Sequence, residues 1–256
     1  MVTTGSGPDC WEPATVEDLL TTKACAHHGA VSYCETCEVR SLAVCAAMAP
    51  HELRELDAIV RQVTYAPKTT FVRQDEEAQS VFSVTRGMVR LYKMLSDGRR
   101  QVIGFAMPGD FLGLALHNRY GFSADAVDEV TLCRFARADF DRLVTEKPHF
   151  LLRLHEFATH ELVIAQEQMT LIGRRSAEER IAAFLIAMRE RWTRVRGPSV
   201  TIELPMQRID IADFLGLTIE TVSRTLTKLA RDKVILIVPD AVRVLDEARL
   251  QNLARA

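Results

Sequence analysis

The sequence predicts an α+β chain made of an antiparallel β-roll, one long helix and a C-terminal winged helix-turn-helix. Three observations predict it. Between Val63 and Phe140, short strand-like runs are broken by turn signals at Gly87, Asp97-Gly98 and Pro108-Gly109-Asp110, the texture of a compact antiparallel roll or barrel. After Pro148 the pattern turns helical and stays so to about Gly173. Residues 207–229 then meet the packing demands of two helices joined by a tight glycine turn, and two short strands follow as a wing.

The elements justify themselves in chain order. Residues 1 to about 24 hold Gly, Pro, Thr and Ser with little periodicity and read as a mobile tail. Leu53, Leu56, Ile59 and Val60 suit a short amphipathic helix. Asp97-Gly98 is a hairpin signal, because both residue types tolerate positive φ. In the long helix, Leu151, Ala158, Leu162, Ala165, Met169 and Ile172 follow heptad spacing. Such a seam either lies on its own barrel or pairs with a second copy. The polar flanks Glu161 and Gln168 favour the homodimer.

Ser176, with Glu179 three residues on, reads as a capping box for a helix whose buried stripe is Ile181, Phe184, Leu185 and Met188. The basic Arg194–Ser199 loop ends it. Further on, Ala212 is small where two helices would cross, Gly216 supplies the turn, Thr218 caps the second helix and Val222 is buried on it. Val222, Leu226 and Leu229 share one face of that helix, and Glu220, Ser223, Arg224 and Thr227 the opposite one. Arginine can fork onto guanine O6 and N7, glutamate can accept from a cytosine amino group, and serine is adaptable, so this face suits base edges in a major groove. The wing strands are Val234–Val238 and Val242–Leu245, around Pro239-Asp240.

Composition bounds the function. A chain of 256 residues, 48% hydrophobic and 26% charged, has the makings of a sizeable core. No run approaches the roughly 18 apolar residues of a membrane span, and the start lacks a basic flank before an apolar stretch, so a cytoplasmic protein without a membrane partner is expected. No Ser/His/Asp arrangement, phosphate loop or dinucleotide fingerprint suggests an enzyme. Net charge is −2, yet residues 173–233 hold twelve Arg/Lys against eight Asp/Glu, which makes the C-terminal part the phosphate-facing end.

Five of six cysteines, Cys10, Cys25, Cys34, Cys37 and Cys45, lie in the first 45 residues, and the sixth is Cys133. In a cytoplasmic protein such crowding indicates ligands or redox groups rather than disulfides. Cys34 and Cys37 have the C-x2-C spacing that grips a metal or a cluster edge, and Cys45 follows after seven residues. Three thiolates need a fourth partner, and four would suit a [4Fe–4S] cluster or zinc equally. Cys25 is an alternative ligand and Cys10 a bystander; His27 and His28 read as solvated. Cys133 also reads as a small apolar residue buried in a strand.

The segment Gly216-Leu217-Thr218-Ile219-Glu220-Thr221-Val222-Ser223-Arg224 resembles the recognition motif of the FNR/FixK branch of the CRP/FNR superfamily. Ser176-Ala177-Glu178-Glu179-Arg180-Ile181-Ala182 and Gly109-Asp110-Phe111-Leu112-Gly113 are similar to that branch as well, so the resemblance covers nearly the whole chain. It implies a cysteine segment at 1–47, a cyclic-nucleotide-binding-like β-roll (jelly roll) at 48–147, a dimerisation helix at 148–175 and a winged helix-turn-helix at 176–256. By resemblance, Glu220, Ser223 and Arg224 read inverted TTGAT repeats, with Thr218 and Thr227 beside them. Cys133 becomes the fourth ligand of an oxygen-sensing [4Fe–4S] cluster, and the Asp97-Gly98 hairpin faces RNA polymerase.

Two departures from the superfamily matter. The cyclic-nucleotide cassette needs a carboxylate and an Arg-Ser or Arg-Thr pair, but Leu114 follows Gly113, and Phe122 precedes Ser123-Ala124, so no cyclic nucleotide is expected. The Cys37–Cys45 interval is longer than in the enteric prototype and is similar to that of alphaproteobacterial FNR-like proteins. Where the prototype places an acidic residue in the seam, Ala165 stands here, which implies a dimer that persists without its cluster. Alternatives are a zinc-binding or cluster-free regulator of the same fold, controlled by thiol oxidation or abundance, and a metal protein whose winged helix contacts protein.

Overall fold

The computed structural model describes residues 33–114, 118–174 and 176–255. Cys10, Cys25, His27 and His28 lie outside the described residues, as does the side chain of Ile172.

Two four-stranded antiparallel sheets form the roll. One runs in the order β1 (Val60–Tyr65), β8 (Val130–Ala136), β3 (Ser80–Arg86), β6 (Phe111–Leu112). The other runs β2 (Thr70–Val72), β7 (Ser123–Ala126), β4 (Val89–Met94), β5 (Arg100–Ala106). The space between them is filled by Val72, Phe82, Val84, Val89, Ala124 and Leu132, with the Tyr65 and Phe71 rings stacked 4.8 Å apart at its rim.

Successive side chains on a strand point to opposite faces. On β8, Val130 and Leu132 therefore enter this interior, whereas Cys133 and Phe135 face outward. That outer face is covered by a 3-10 turn (Val44–Ala47), α1 (Leu53–Ile59), α2 (Arg137–Glu146) and the start of α3 (Pro148–Arg174). Val44, Leu53, Leu56, Phe140 and Phe150 pack there against Phe135.

Glu52, immediately before α1, ties this layer to the base of α3. It accepts the Ala49 N–H at 2.8 Å and contacts Lys147 Nζ at 3.2 Å and His149 Nε2 at 3.0 Å. The Ala49 hydrogen bond above all, with Lys147 and His149, holds its carboxyl at about 2. Because that value lies below the ordinary one, the stabilisation is present above the usual carboxylate range and is lost as pH falls from there toward 2. The melting temperature of Glu52→Gln is therefore expected to fall less steeply than wild type between pH 5 and pH 2.5, a comparison made by circular dichroism.

The β4–β5 turn differs in detail from the sequence expectation. Gly98 takes φ of 81°, whereas Asp97 stays out of the left-handed region and uses its carboxylate on the backbone N–H and side chain of Arg99. Leu95 N–H donates to Arg99 C=O and Gly98 N–H to Leu95 C=O, so one glycine suffices where a two-residue type I′ hairpin needs two positive φ angles.

The C-terminal part comprises α4 (Ala177–Arg196), β9 (Thr201–Glu203), α5 (Arg208–Leu215), α6 (Ile219–Arg231), β10 (Ile235–Val238), β11 (Ala241–Val244) and α7 (Glu247–Arg255). The α4 capping box is complete: Ser176 accepts from Glu179 N–H, and the Glu179 carboxylate accepts from Ser176 N–H. The wing is a three-stranded sheet, because β9 joins β11 at its second edge. Three residues of β9 and nine of α7 carry too short a pattern to stand out in sequence.

This part docks on the outer face of the second roll sheet. Val102, Phe105 and Met107 join its core, and Phe105, Phe184 and Phe214 form a ring cluster with centroids 5.5 to 6.3 Å apart. Arg90 and Arg100 both reach the buried Asp210 of α5, at 2.6 and 2.8 Å, and Arg100 also reaches Asp213 at 2.7 Å. Removing one partner would strand a buried charge, so this network fixes orientation more surely than it adds stability.

Candidate functional site

Two sites emerge. The first is a thiol pocket between the 33–48 segment and the roll. Cys34 and Cys133 are 5% and 6% exposed and belong to one buried cluster, with Cys45 packed against it. Cys133 is aligned with Gln62 on β1 and Ser83 on β3, which places it at the centre of the sheet face turned toward the segment. Burial chiefly pushes these thiols up, Cys45 to about 11 and Cys133 to about 12, and Cys34 further still. The charges of neighbouring thiols add to this: Cys45 and Cys133 raise Cys34, Cys37 raises Cys45, and Cys45 and Cys37 raise Cys133. Cys34, Cys45 and Cys133 thus each feel at least one other thiol. They are free cysteines, with no disulfide among them.

Among the described residues, no three His, Cys, Asp or Glu side chains converge as the ligands of a single metal ion do. Two further residues border the pocket. Tyr33 takes the amide of Gln62 on its phenol oxygen at 2.8 Å, and its hydroxyl, raised to about 12 mainly by burial, also meets Cys133. Asp57 on α1 accepts the Cys34 N–H at 3.3 Å and meets the Cys34 thiol as well. Sequence reasoning missed both. Tyr33 adjoins Cys34 in the chain, a signal that was available, whereas Asp57 comes near only through folding.

The second site is the exposed face of α6. Ala212 and Val222 are buried at the crossing of α5 and α6, and Gly216 takes φ of 63° between them. The left-handed region costs glycine least. Thr218 caps α6 by accepting from Thr221 N–H at 3.2 Å. Val222, Leu226 and Leu229 face the core; Thr218, Glu220, Arg224 and Thr227 are exposed and Ser223 half-buried. Glu220 sits below the usual carboxylate range through local hydrogen bonds and the Arg224 charge. Thr227 donates its hydroxyl to Ser223 C=O, which leaves it an acceptor toward any partner.

The α3 seam is bare in the single chain. Leu162 and Met169 are 57% and 66% exposed, and Leu151, Ala158 and Ala165 are exposed on the same side. Gln168 departs from a purely solvated flank by donating to Phe214 C=O at 2.8 Å. If the seam is a dimer contact, Leu162→Glu places a carboxylate in each half. The expected cost is about 3 kcal/mol or more per dimer, roughly a hundredfold in dissociation constant. Sedimentation of that variant should show monomer at concentrations where wild type is dimeric.

Residues 62–147 match the family profile of the cyclic nucleotide-binding domain, and residues 179–253 that of the Crp-like helix-turn-helix domain. A sensor-type roll joined by a long helix to a winged helix-turn-helix defines a class of DNA-binding transcription regulators. The chain is 56% identical over 224 residues to the transcriptional activatory protein AadR of Rhodopseudomonas palustris, covering 87% of this chain and 94% of that one. It is 49% identical over 224 residues to the nitrogen fixation regulation protein FixK of Bradyrhizobium diazoefficiens, covering 88% and 94%. The solved structure of FixK2 from Bradyrhizobium japonicum superposes with a TM-score of 0.71 at 33% identity, covering 77% of this chain and 98% of that one. The chain belongs to the CRP/FNR family of transcription regulators, with FixK-, AadR- and FnrL-type activators as its relatives, and these are not enzymes. No described helix is long and apolar enough to cross a membrane.

Proposed function

We propose that this regulator is a cytoplasmic homodimer whose DNA binding depends on a [4Fe–4S] cluster held by Cys34, Cys37, Cys45 and Cys133, and hence on oxygen. The observation that carries this reading is that Cys34, Cys45 and Cys133, from two distant stretches of chain, meet in one buried layer, with Cys37 near enough to act on Cys45 and Cys133. Four thiolates suit such a cluster and would suit zinc as well, so the metal itself is what the test below must decide.

When bound, the cluster supplies oxygen-sensitive redox chemistry. The remaining steps belong to the chain. The 33–48 segment lies on the roll between α1 and the base of α3, so the fit of that segment bears directly on the helix that carries the seam. Pairing of two seams sets two α6 helices on the successive half-sites of a TTGAT palindrome. There Arg224 forks onto guanine, Glu220 accepts from cytosine, Ser223 adapts to either neighbour, and Thr218 and Thr227 flank the contact. The Asp97-Gly98 hairpin is solvent-facing and offers a surface to RNA polymerase.

A cyclic nucleotide is not the effector in this reading. Phe122 packs on the filled roll interior, and the buried Ser123 already accepts the Gln74 N–H at 3.0 Å. The test is anaerobic purification followed by iron and acid-labile sulfide assays, with a visible spectrum before and after admission of air. A brown protein that bleaches supports the reading, and a colourless zinc protein ends it.

A further inference from the structure

We propose that the Gly109–Asp110 turn is a relay that carries the state of the cysteine segment to the DNA-binding part without passing through the dimer seam. Leu42 and Arg191 are its two positioning residues. The inference rests on the cluster reading for what changes the segment, but the mechanical link stands on contacts of its own.

Leu42 lies between Cys37 and Cys45 and packs directly on Gly109. A Cβ built at Gly109 would stand 2.8 Å from the Leu42 Cβ, and the turn takes φ of 99° there. No other residue type lets the segment approach so closely without strain. On its second side the turn is pinned to β3: Gly109 N–H donates to Val84 C=O and Val84 N–H to Asp110 C=O, both at 2.9 Å. Val84 adjoins Ser83, the strand partner of Cys133. The 33–48 segment therefore abuts the turn directly, and the strand of Cys133 reaches it through β3.

The third side of the turn is held by α4. Asp110 caps its own turn by accepting Met107 N–H at 2.8 Å, and the same carboxylate oxygen takes one end of the Arg191 guanidinium. The other end of Arg191 donates to Phe105 C=O at 2.7 Å. This two-point grip uses the planar fork of arginine, which lysine cannot reproduce. A cavity of about 300 Å³ adjoins these contacts, lined in part by Leu42, Gly109, Asp110 and Arg191, so the segment has room to shift against the turn. Of the α3 residues lining that cavity, Phe157 and His160 lie on the helix face away from Leu151, Ala158 and Leu162, whereas Glu161 flanks the seam.

Spatial continuity alone does not establish coupling, so the test measures coupling. Hydrogen–deuterium exchange on the full chain compares wild type, Leu42→Ala, Leu42→Met and Arg191→Gln. Leu42→Ala is expected to speed amide exchange in residues 186–192 of α4 by about fivefold or more. Leu42→Met, which keeps the volume, should restore the wild-type rate, and adding Leu42→Ala to Arg191→Gln should change α4 no further. Exchange changes confined to residues 37–48 and 107–110, with α4 unaltered, would overturn the relay. In the anaerobic protein, Arg191→Gln should keep its iron, sulfide and dimer yet shrink the gap in DNA affinity between loaded and stripped forms by about fivefold or more; an undiminished gap would likewise overturn it. A wild type without iron would remove the cluster reading, while the exchange comparison would still decide the relay.

Discussion

Cys37→Ser, prepared without oxygen, is expected to contain less than about a tenth of the wild-type iron and acid-labile sulfide, since loss of even an outer-shell partner costs 10- to 100-fold in metal affinity. Cys37 is the informative ligand to change. It is only half-buried, whereas Cys34 and Cys133 sit in the core of the layer over the roll, where a serine hydroxyl would have to find a hydrogen-bond partner. A serine at position 37 offers a hard oxygen that keeps its proton, and three thiolates remain. Melting temperature and far-ultraviolet circular dichroism check that the fold survives. Wild-type metal content in Cys37→Ser would remove that residue from the ligand set.

Arg224→Ala is expected to weaken binding to a TTGAT-type palindrome by about 1–3 kcal/mol per half-site, with both half-sites of a dimer affected. The geometry behind this is specific. Arg224 is exposed in the first half of α6, one turn after Glu220, and the helix is held by the Thr218 cap and by the burial of Val222 against α5. The long side chain is anchored to a rigid helix and free at its tip, so its loss removes contacts without unsettling the core. Binding to a scrambled duplex, which rests on phosphates, should fall much less. Fluorescence anisotropy at fixed physiological salt measures both. An equal loss on both duplexes would make Arg224 a phosphate contact rather than a reader of bases.

Much of this architecture was legible in the residues themselves. Period-two strands, a heptad seam and a glycine turn between two amphipathic helices are local patterns, and each stands out where a burial face repeats often enough. Gly216, Thr218 and the Ser176–Glu179 box were readable because caps and left-handed turns are made by particular residue types. The short elements were not, since β9 offers only Thr201–Glu203 and becomes a strand by pairing with β11. Nor could spacing bring Asp57 to Cys34 or Arg191 to Asp110, contacts that exist only because strands and helices distant in sequence meet. The Asp97 turn shows a subtler gap: residue type allowed positive φ, and the Arg99 contacts took the carboxylate instead.

The direct measurement of the central claim is DNA affinity taken twice on one anaerobic sample of the wild-type chain, before and after air, with iron and sulfide determined each time. The account predicts tight binding to the palindrome while the metal is present and a loss of about tenfold or more that follows metal loss, the size of an ordinary coupling between two sites. Affinity that stays constant while iron and sulfide disappear would contradict it.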